Sequence, residues 1–273
     1  MSGLRTRLLT AMVLAPAVVL AILYLPRRGF AVLASVMMLA AFWEWSRLAG
    51  LPGRLLRTVL TVLLALGFVG LARLPLPQLL WPAWVALGFW VLGTLWLLAP
   101  QFGARDCTAH RVLKTVAGMI LLCGAWAGAV YVREGLPGGA SWLICCLAVI
   151  YGGDSLAYFA GSRIGGRKLA PRISPGKTWA GLAGAVAGVV PLAAALGWAK
   201  GLAGRDLLLW TLLALGCLLL SVVGDLVESI MKRHRQVKDS GRLFPGHGGV
   251  LDRGDSLFAA LPAFAAGLAW LLS

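Results

Sequence analysis

Charge is the scarcest commodity in this sequence. Only 13% of its 273 residues are Asp, Glu, Lys or Arg, against about 25% in a typical soluble domain. That leaves too little polar surface to cover a water-facing globule, so a soluble enzyme and a disordered chain are both excluded. Acids are rarer still: 10, against 25 basic residues, for a net charge of +15. Histidine occurs three times, at His110, His234 and His247, without the spacing of a zinc site. Cysteine occurs five times, an odd number with no C-x-x-C pair, so no disulfide framework is expected. No internal repeat of the kind that marks many transporters is present.

Apolar residues are abundant, at 60% of the chain, with a mean hydropathy of +0.85. Crossing roughly 30 Å of hydrocarbon takes about 20 of them in a helix. Nine stretches qualify, near Leu8 to Leu25, Phe30 to Trp43, Thr58 to Ala72, Leu79 to Ala99, Val112 to Val132, Ser141 to Ala160, Trp179 to Ala199, Leu207 to Gly224 and Leu257 to Leu272. The second and third are short enough to form a re-entrant pair instead. Arg5 and Arg7 precede the first run as in a signal peptide. No small-residue cleavage site follows, so the run is read as a retained span.

The expected fold is therefore all-α: a polytopic integral membrane protein with about nine transmembrane helices, N-terminus inside and C-terminus outside. That topology puts 19 of the 25 basic residues on the inner side, as the positive-inside rule requires. Membrane topology thus accounts for most of the net charge, and no nucleic acid is expected as a partner. The chain divides into an N-terminal helix region, 1–135, and a C-terminal one, 136–273, which holds seven of the ten acids. In the N-terminal region Glu44, Asp106 and Glu134 lie near span ends and read as solvated or interfacial groups. Glu44, in the run Trp43-Glu44-Trp45, is also able to reach a neighbouring cation.

Two stretches of the C-terminal region carry chemistry. In the first, Tyr151 to Gly181, Asp154 lies inside an apolar helix. An intramembrane carboxylate is either functional or bonded to a neighbouring helix. After it come Arg163, Arg167, Lys168, Arg172 and Lys177 among glycines and prolines. Ser174-Pro175-Gly176-Lys177-Thr178 then opens the next helix, where backbone amides, a lysine and hydroxyls suit a phosphate. A positive-inside turn would account for the charges alone. The spacing is not that of a Walker A loop.

In the second stretch, Gly224 to Ser256, Asp225 and Glu228 share a helix face at i, i+3, and so do Asp252 and Asp255. Glu228 and Lys232, at i, i+4, are also spaced to pair. A basic, glycine-rich segment with His247 lies between the two acidic pairs, and the histidine is either a phosphate contact or a turn residue. Carboxylates crowded together repel one another unless a cation joins them. Mg²⁺ prefers oxygen and is commonly shared between carboxylates and substrate phosphates. Acids, bases and glycine loops together suggest phosphoryl or nucleotidyl transfer.

At Ser229, Lys232-Arg233, Lys238-Asp239, Pro245, His247-Gly248-Gly249, Asp252-Arg253 and Asp255, the sequence resembles the phosphatidate cytidylyltransferase (CDP-diacylglycerol synthase) family. Asp154-Ser155-Ala157-Tyr158 and Ser174-Pro175-Lys177-Thr178 match that family's upstream elements. Ala180 departs from it, since a Glu or Gln is common there. The resemblance implies transfer of CMP from CTP to phosphatidate, with pyrophosphate released. It implies Mg²⁺ bound by Asp225 and Asp252 with Asp255 as a third member, and a second, monovalent cation such as K⁺. Catalytic roles fall to Asp225, Asp252, Asp255 and Lys238. Substrate binding falls to Asp154, Ser174, Lys177, Thr178, Lys232, Arg233, His247 and Arg253. Asn at position 225 or 252 is expected to abolish the reaction without unfolding the chain. The expected partners are CTP, phosphatidate and the bilayer, a homodimer is entertained as the assembly, and the expected location is a bacterial-type inner membrane with the site facing the cytoplasm. A CTP-dependent polyprenol kinase and an ion-coupled carrier are the rival readings.

Overall fold

The computed structural model describes residues 3–244 and 248–273, with side-chain surroundings from residue 12 onward. Among the described residues the chain forms nine α-helices, a 3-10 turn at Leu76–Leu79 and two short strands. The helices are α1 (Gly3–Tyr24), α2 (Arg27–Ala49), α3 (Arg54–Leu71), α4 (Leu80–Trp96), α5 (Thr108–Gly135), α6 (Gly139–Ile164), α7 (Trp179–Ala199), α8 (Gly204–His234) and α9 (Leu251–Leu271). Helices are the outcome hydrocarbon enforces, because every backbone amide must find its partner within the segment. Eight are long and apolar enough to cross a membrane, α4 being counted with its preceding turn, and α1 contributes a shorter apolar stretch, Met12–Tyr24. The chain is thus an all-α polytopic membrane protein in its architecture. At 23 and 18 residues, α2 and α3 are each full-length helices, not a re-entrant pair.

Two features depart from the sequence-based outline. The basic segment after α6 is not open loop but an antiparallel hairpin of β1 (Lys168–Ala170) and β2 (Ser174–Thr178), pairing Lys168 with Thr178 and Ala170 with Ser174. Helix α8, moreover, continues ten residues beyond Gly224 to His234. At 1.5 Å per residue its 31 residues reach about 46 Å, longer than the hydrocarbon, so its last turns bring polar side chains to one end of the bundle.

Burial separates the helices into centre and periphery. In the apolar window of α5, 72% of residues are buried, and in that of α9 61%, against 11% in α3. Helices α5 and α9 are therefore the axis of the bundle, and α3 presents Leu55, Val62, Leu66 and Val69 outward, as a lipid-facing helix does. Trp126, Trp210, Phe42 and Phe264 are fully buried around the axis. Gly184 and Gly188 on α7 abut Ala160 and Leu156 of α6, the close packing that small residues permit in a membrane.

The ends of the bundle are tied separately. At one, Arg133 donates to the carbonyls of Ile22 and Leu25, at 2.8 and 2.5 Å, and Lys200 Nζ to Ser141 Oγ at 2.6 Å. At the other, Arg235 Nε donates to the Leu48 carbonyl at 3.2 Å and its guanidinium pairs with Asp106 at 3.3 Å. Here too His234 Nε2 bonds the Pro100 carbonyl at 2.8 Å, and Arg233 Nε donates to the Ile173 carbonyl at 3.2 Å. This second end gathers the α2–α3 turn, the α4–α5 loop, the hairpin and the α8–α9 segment.

Gly224 sets the distance between α8 and α9 at this end. A methyl group on it would lie 2.5 Å from the Asp255 carbonyl oxygen and 2.7 Å from Ala259 Cβ. Gly224→Ala must push the helices apart, an overpacking strain of about 1–3 kcal/mol. Thermal unfolding in detergent should show a lowered Tm together with lost activity. A variant as stable and active as the parent would show that this close approach is dispensable.

Candidate active site

The acids that are separate in sequence meet where α8 and α9 pack. Asp225 and Glu228 lie one turn apart on α8, and Asp255 approaches from the first turns of α9. One carboxylate oxygen from each of the three lies within 4.8 Å of the other two. Glu228 is 1% exposed; its Oε2 accepts from Lys232 Nζ at 3.1 Å, whereas its Oε1 is buried without a hydrogen-bond partner. An orphaned carboxylate oxygen inside a membrane protein is costly, and a cation relieves it. The donor set is all oxygen, which suits a hard cation such as Mg²⁺.

Asp252, grouped with Asp225 and Asp255 by the sequence, stands next to this trio rather than in it. Its Oδ1 accepts from Lys232 Nζ at 2.9 Å. Its Oδ2 lies 2.8 Å from each of three donors: the Ser240 amide, the Ser240 hydroxyl and the Gly249 amide. Both oxygens are thus engaged by the chain itself. Lys232, expected as a substrate contact, is the bridge between Glu228 and Asp252 and joins the two acidic pairs into one network.

On the other side of Asp225 lies a cavity of about 530 Å³ between α6, α7, α8 and the hairpin. Asp154, Ser174, Lys177, Thr178 and Asp225 form its polar wall, while Leu182, Leu218 and Val222 form an apolar one. Lys177 Nζ is 2.5 Å from Asp225 Oδ2, so β2 delivers its lysine directly to the carboxylate trio. Thr178 is the N-cap of α7, its hydroxyl oxygen accepting from the Gly181 amide at 3.0 Å. That bond fixes the hairpin's exit and with it the position of Lys177.

The remaining sequence-predicted residues are dispersed. Arg233 is exposed and tethers the hairpin through Ile173. Arg253 is exposed, and its carbonyl accepts from Tyr151 Oη at 3.0 Å. Lys238 faces a separate basic recess of about 470 Å³ with Arg47, Arg235 and Arg242. Arg111 first, and then Arg235, hold the Asp106 carboxyl at this rim well below the usual carboxylate range. His247 lies outside the described residues.

Sequence reasoning left three groups without a role in the site, the first being Glu228, which was spaced to pair with Lys232 and is a member of the carboxylate trio. Ser240 carried no motif of its own. Glu44 was read as interfacial, yet its side chain is buried and its carboxylate accepts from Ser240 Oγ at 2.9 Å, the Val250 amide at 3.2 Å and the Leu251 amide at 2.8 Å. The signal was available: an acid flanked by two tryptophans in an apolar run has to be satisfied by something.

Carboxylates sharing a pocket with a lysine, next to an amphipathic cavity at one end of a helical bundle, define a membrane protein whose polar side chains are gathered as those of a phosphate-handling site are. The sequence relationships narrow that class. A family model described as the cytidylyltransferase family matches residues 5–271, and the chain belongs to this family. The phosphatidate cytidylyltransferase of Pseudomonas aeruginosa is 38% identical over 269 residues, covering 98% of this chain and 97% of that protein. The enzyme of the same name from Haemophilus influenzae is 31% identical, covering 96% and 97%. That of Bacillus subtilis is 46% identical over 127 residues, or 45% of this chain and 46% of that protein.

Proposed function

We propose that the protein is a phosphatidate cytidylyltransferase, converting CTP and phosphatidate to CDP-diacylglycerol and pyrophosphate. The observation that carries this reading is the amphipathic cavity: a polar wall of Asp154, Lys177, Thr178 and Asp225 faces an apolar wall of Leu182, Leu218 and Val222. A lipid phosphate fits the first and the start of its acyl chains the second. Membership in the cytidylyltransferase family supports the nucleotide half of the reaction.

The reaction needs no activated serine or cysteine, because the phosphatidate phosphate is already an oxygen nucleophile. That oxygen forms a bond to the α-phosphorus of CTP while the bond to the bridging oxygen of the β-phosphate breaks, and pyrophosphate leaves. The difficulty is bringing two polyanions together, and the side chains address it by charge and position. Lys177 sits on the rim between Asp225 and the cavity and exchanges its carboxylate partner for an incoming phosphate. The Thr178 cap keeps that ammonium in place. Lys232 holds Glu228 and Asp252 in register, so the acids present a fixed face. Asp225, Glu228 and Asp255 are the residues that would hold Mg²⁺, which when bound supplies charge neutralisation to the phosphates. Asp252 supports that group from the side. Five carboxylates (Asp154, Asp225, Glu228, Asp252 and Asp255) outnumber the three lysines around them, Lys168, Lys177 and Lys232, an excess that supports bound cations, Mg²⁺ first and a monovalent ion such as K⁺ second.

We place the N-terminus and the site on the cytoplasmic side of the inner membrane, with nine crossings. The basic asymmetry of 19 to 6 supports this. A homodimer is the assembly to test by light scattering.

Purified protein with labelled CTP and phosphatidate micelles should release pyrophosphate and form CDP-diacylglycerol only when Mg²⁺ is present. Release of CDP instead would identify a kinase. Within this assay Lys177→Ala should raise the KM for CTP or phosphatidate by about tenfold, the value of one charge-assisted contact of roughly 1.4 kcal/mol. Unaltered KM and kcat would return the hairpin to a purely topological role.

A further inference from the structure

We propose that Glu44, in the otherwise plain N-terminal region, is a positioning residue for the transfer reaction. Its carboxylate fastens the segment between α8 and α9 so that Asp252 and Lys232 stand correctly beside the carboxylate trio. The inference rests on the cytidylyl-transfer reading and extends it to a residue outside the motif region.

The geometry is specific. Glu44 lies on the last turns of α2, far in sequence from the groups it holds. Oε2 accepts from the Leu251 amide at 2.8 Å and the Ser240 hydroxyl at 2.9 Å, and Oε1 from the Val250 amide at 3.2 Å. Val250 and Leu251 begin α9, where the free amides of a helix start favour an anion. One buried carboxylate from α2 thus caps the helix that carries Asp252 and Asp255. Gly241 and Gly249 fit around it: a methyl group on either would overlap the Glu44 carboxylate. The segment is shaped to receive this side chain.

Ser240 relays the hold to Asp252. Its hydroxyl oxygen is 2.9 Å from Glu44 Oε2 and 2.8 Å from Asp252 Oδ2, and its single proton serves one carboxylate at a time. The Ser240 amide donates to Asp252 Oδ2 regardless, at 2.8 Å. Arg47, one turn beyond Glu44, donates to the Ser240 carbonyl. Helix α2 therefore grips Ser240 from two sides, and Ser240 grips Asp252. None of these contacts reaches the cavity, so Glu44 acts through its neighbours and touches no substrate.

The test uses the full-length protein in detergent. Wild-type turnover is measured first, and its absence would refute the cytidylyl-transfer reading itself, independently of Glu44. Glu44→Gln keeps the shape and removes the charge. Its kcat should fall about 10- to 100-fold, the usual cost of losing a group that orients site ligands, with the KM for CTP changed far less. Trypsin should cut faster after the exposed Lys238 and Arg242, with a modest drop in Tm, because the new amide nitrogen cannot accept from the backbone N–H it faces. Ser240→Ala, which removes the relay hydroxyl but not the amide, should shift kcat and cleavage in the same direction by less. Parent-like kcat and cleavage in Glu44→Gln would overturn the proposal. If that variant does not fold, Ser240→Ala decides alone, and its parent-like kcat and cleavage would be equally fatal.

Discussion

Asp225→Asn is expected to lower CDP-diacylglycerol formation by at least about 100-fold while leaving the helical bundle intact. Asp225 joins the two halves of the site: one oxygen faces Lys177 at 2.5 Å, and the group as a whole belongs to the trio with Glu228 and Asp255. An amide keeps the volume but forfeits the negative charge on which both a cation and Lys177 depend. Losing about 3 kcal/mol of charge stabilisation at the reacting phosphates corresponds to roughly that factor. Stability should change little, because the Lys177–Asp225 pair is partly open to the cavity, at 23% and 30% side-chain exposure, and such pairs contribute about 1 kcal/mol or less. Pyrophosphate release and thermal unfolding, measured on the same preparation, check both halves. Turnover close to wild type would remove Asp225 from the chemistry.

Asp252→Ala should abolish activity for a different reason, and it should also destabilise the protein. The expectation from the sequence concerned the conservative Asp252→Asn, which keeps the fold while abolishing transfer; Asp252→Ala removes the acceptor altogether. In the structure Asp252 is the acceptor for Lys232, for two donors of Ser240 and for the Gly249 amide. Removing it leaves buried donors unsatisfied and a lysine half-paired, which costs about 3–5 kcal/mol when a buried pair is broken. A clear drop in Tm should accompany the loss of turnover, with faster proteolysis at Lys238 and Arg242. Should Asp252→Ala unfold at the parent temperature, the network drawn around Ser240 is wrong. A milder stability loss in Asp252→Asn than in Asp252→Ala is expected, since the amide oxygen still accepts one set of bonds.

These two acids show where sequence reading succeeds and where it stops. The spacings of Asp225 with Glu228 and of Asp252 with Asp255 placed each pair on one helix face, because helical periodicity is local. Which members of the two faces converge depends on how α8 and α9 cross, and Gly224 allows a crossing that selects Glu228 and Asp255 and turns Asp252 toward Ser240. The hairpin was hidden for a related reason. Gly and Pro between Ile164 and Trp179 announce a turn, but only the pairing of Lys168 with Thr178 brings Lys177 to Asp225. Glu44 lay furthest from view, since nothing near it in the chain hints at a helix start about 200 residues later.

The sequence by itself determined the solvent, the helical class and the chemistry available. Few charges and long apolar runs admit little but a bilayer, hydrocarbon imposes helices on such runs, and the acids, lysines and hydroxyls are concentrated in two stretches. Tertiary structure alone decided which of those groups stand together. Composition and periodicity act over a few residues, whereas a site of opposed charges is assembled by contacts between helices distant in the chain, and those contacts exist only once the bundle has packed.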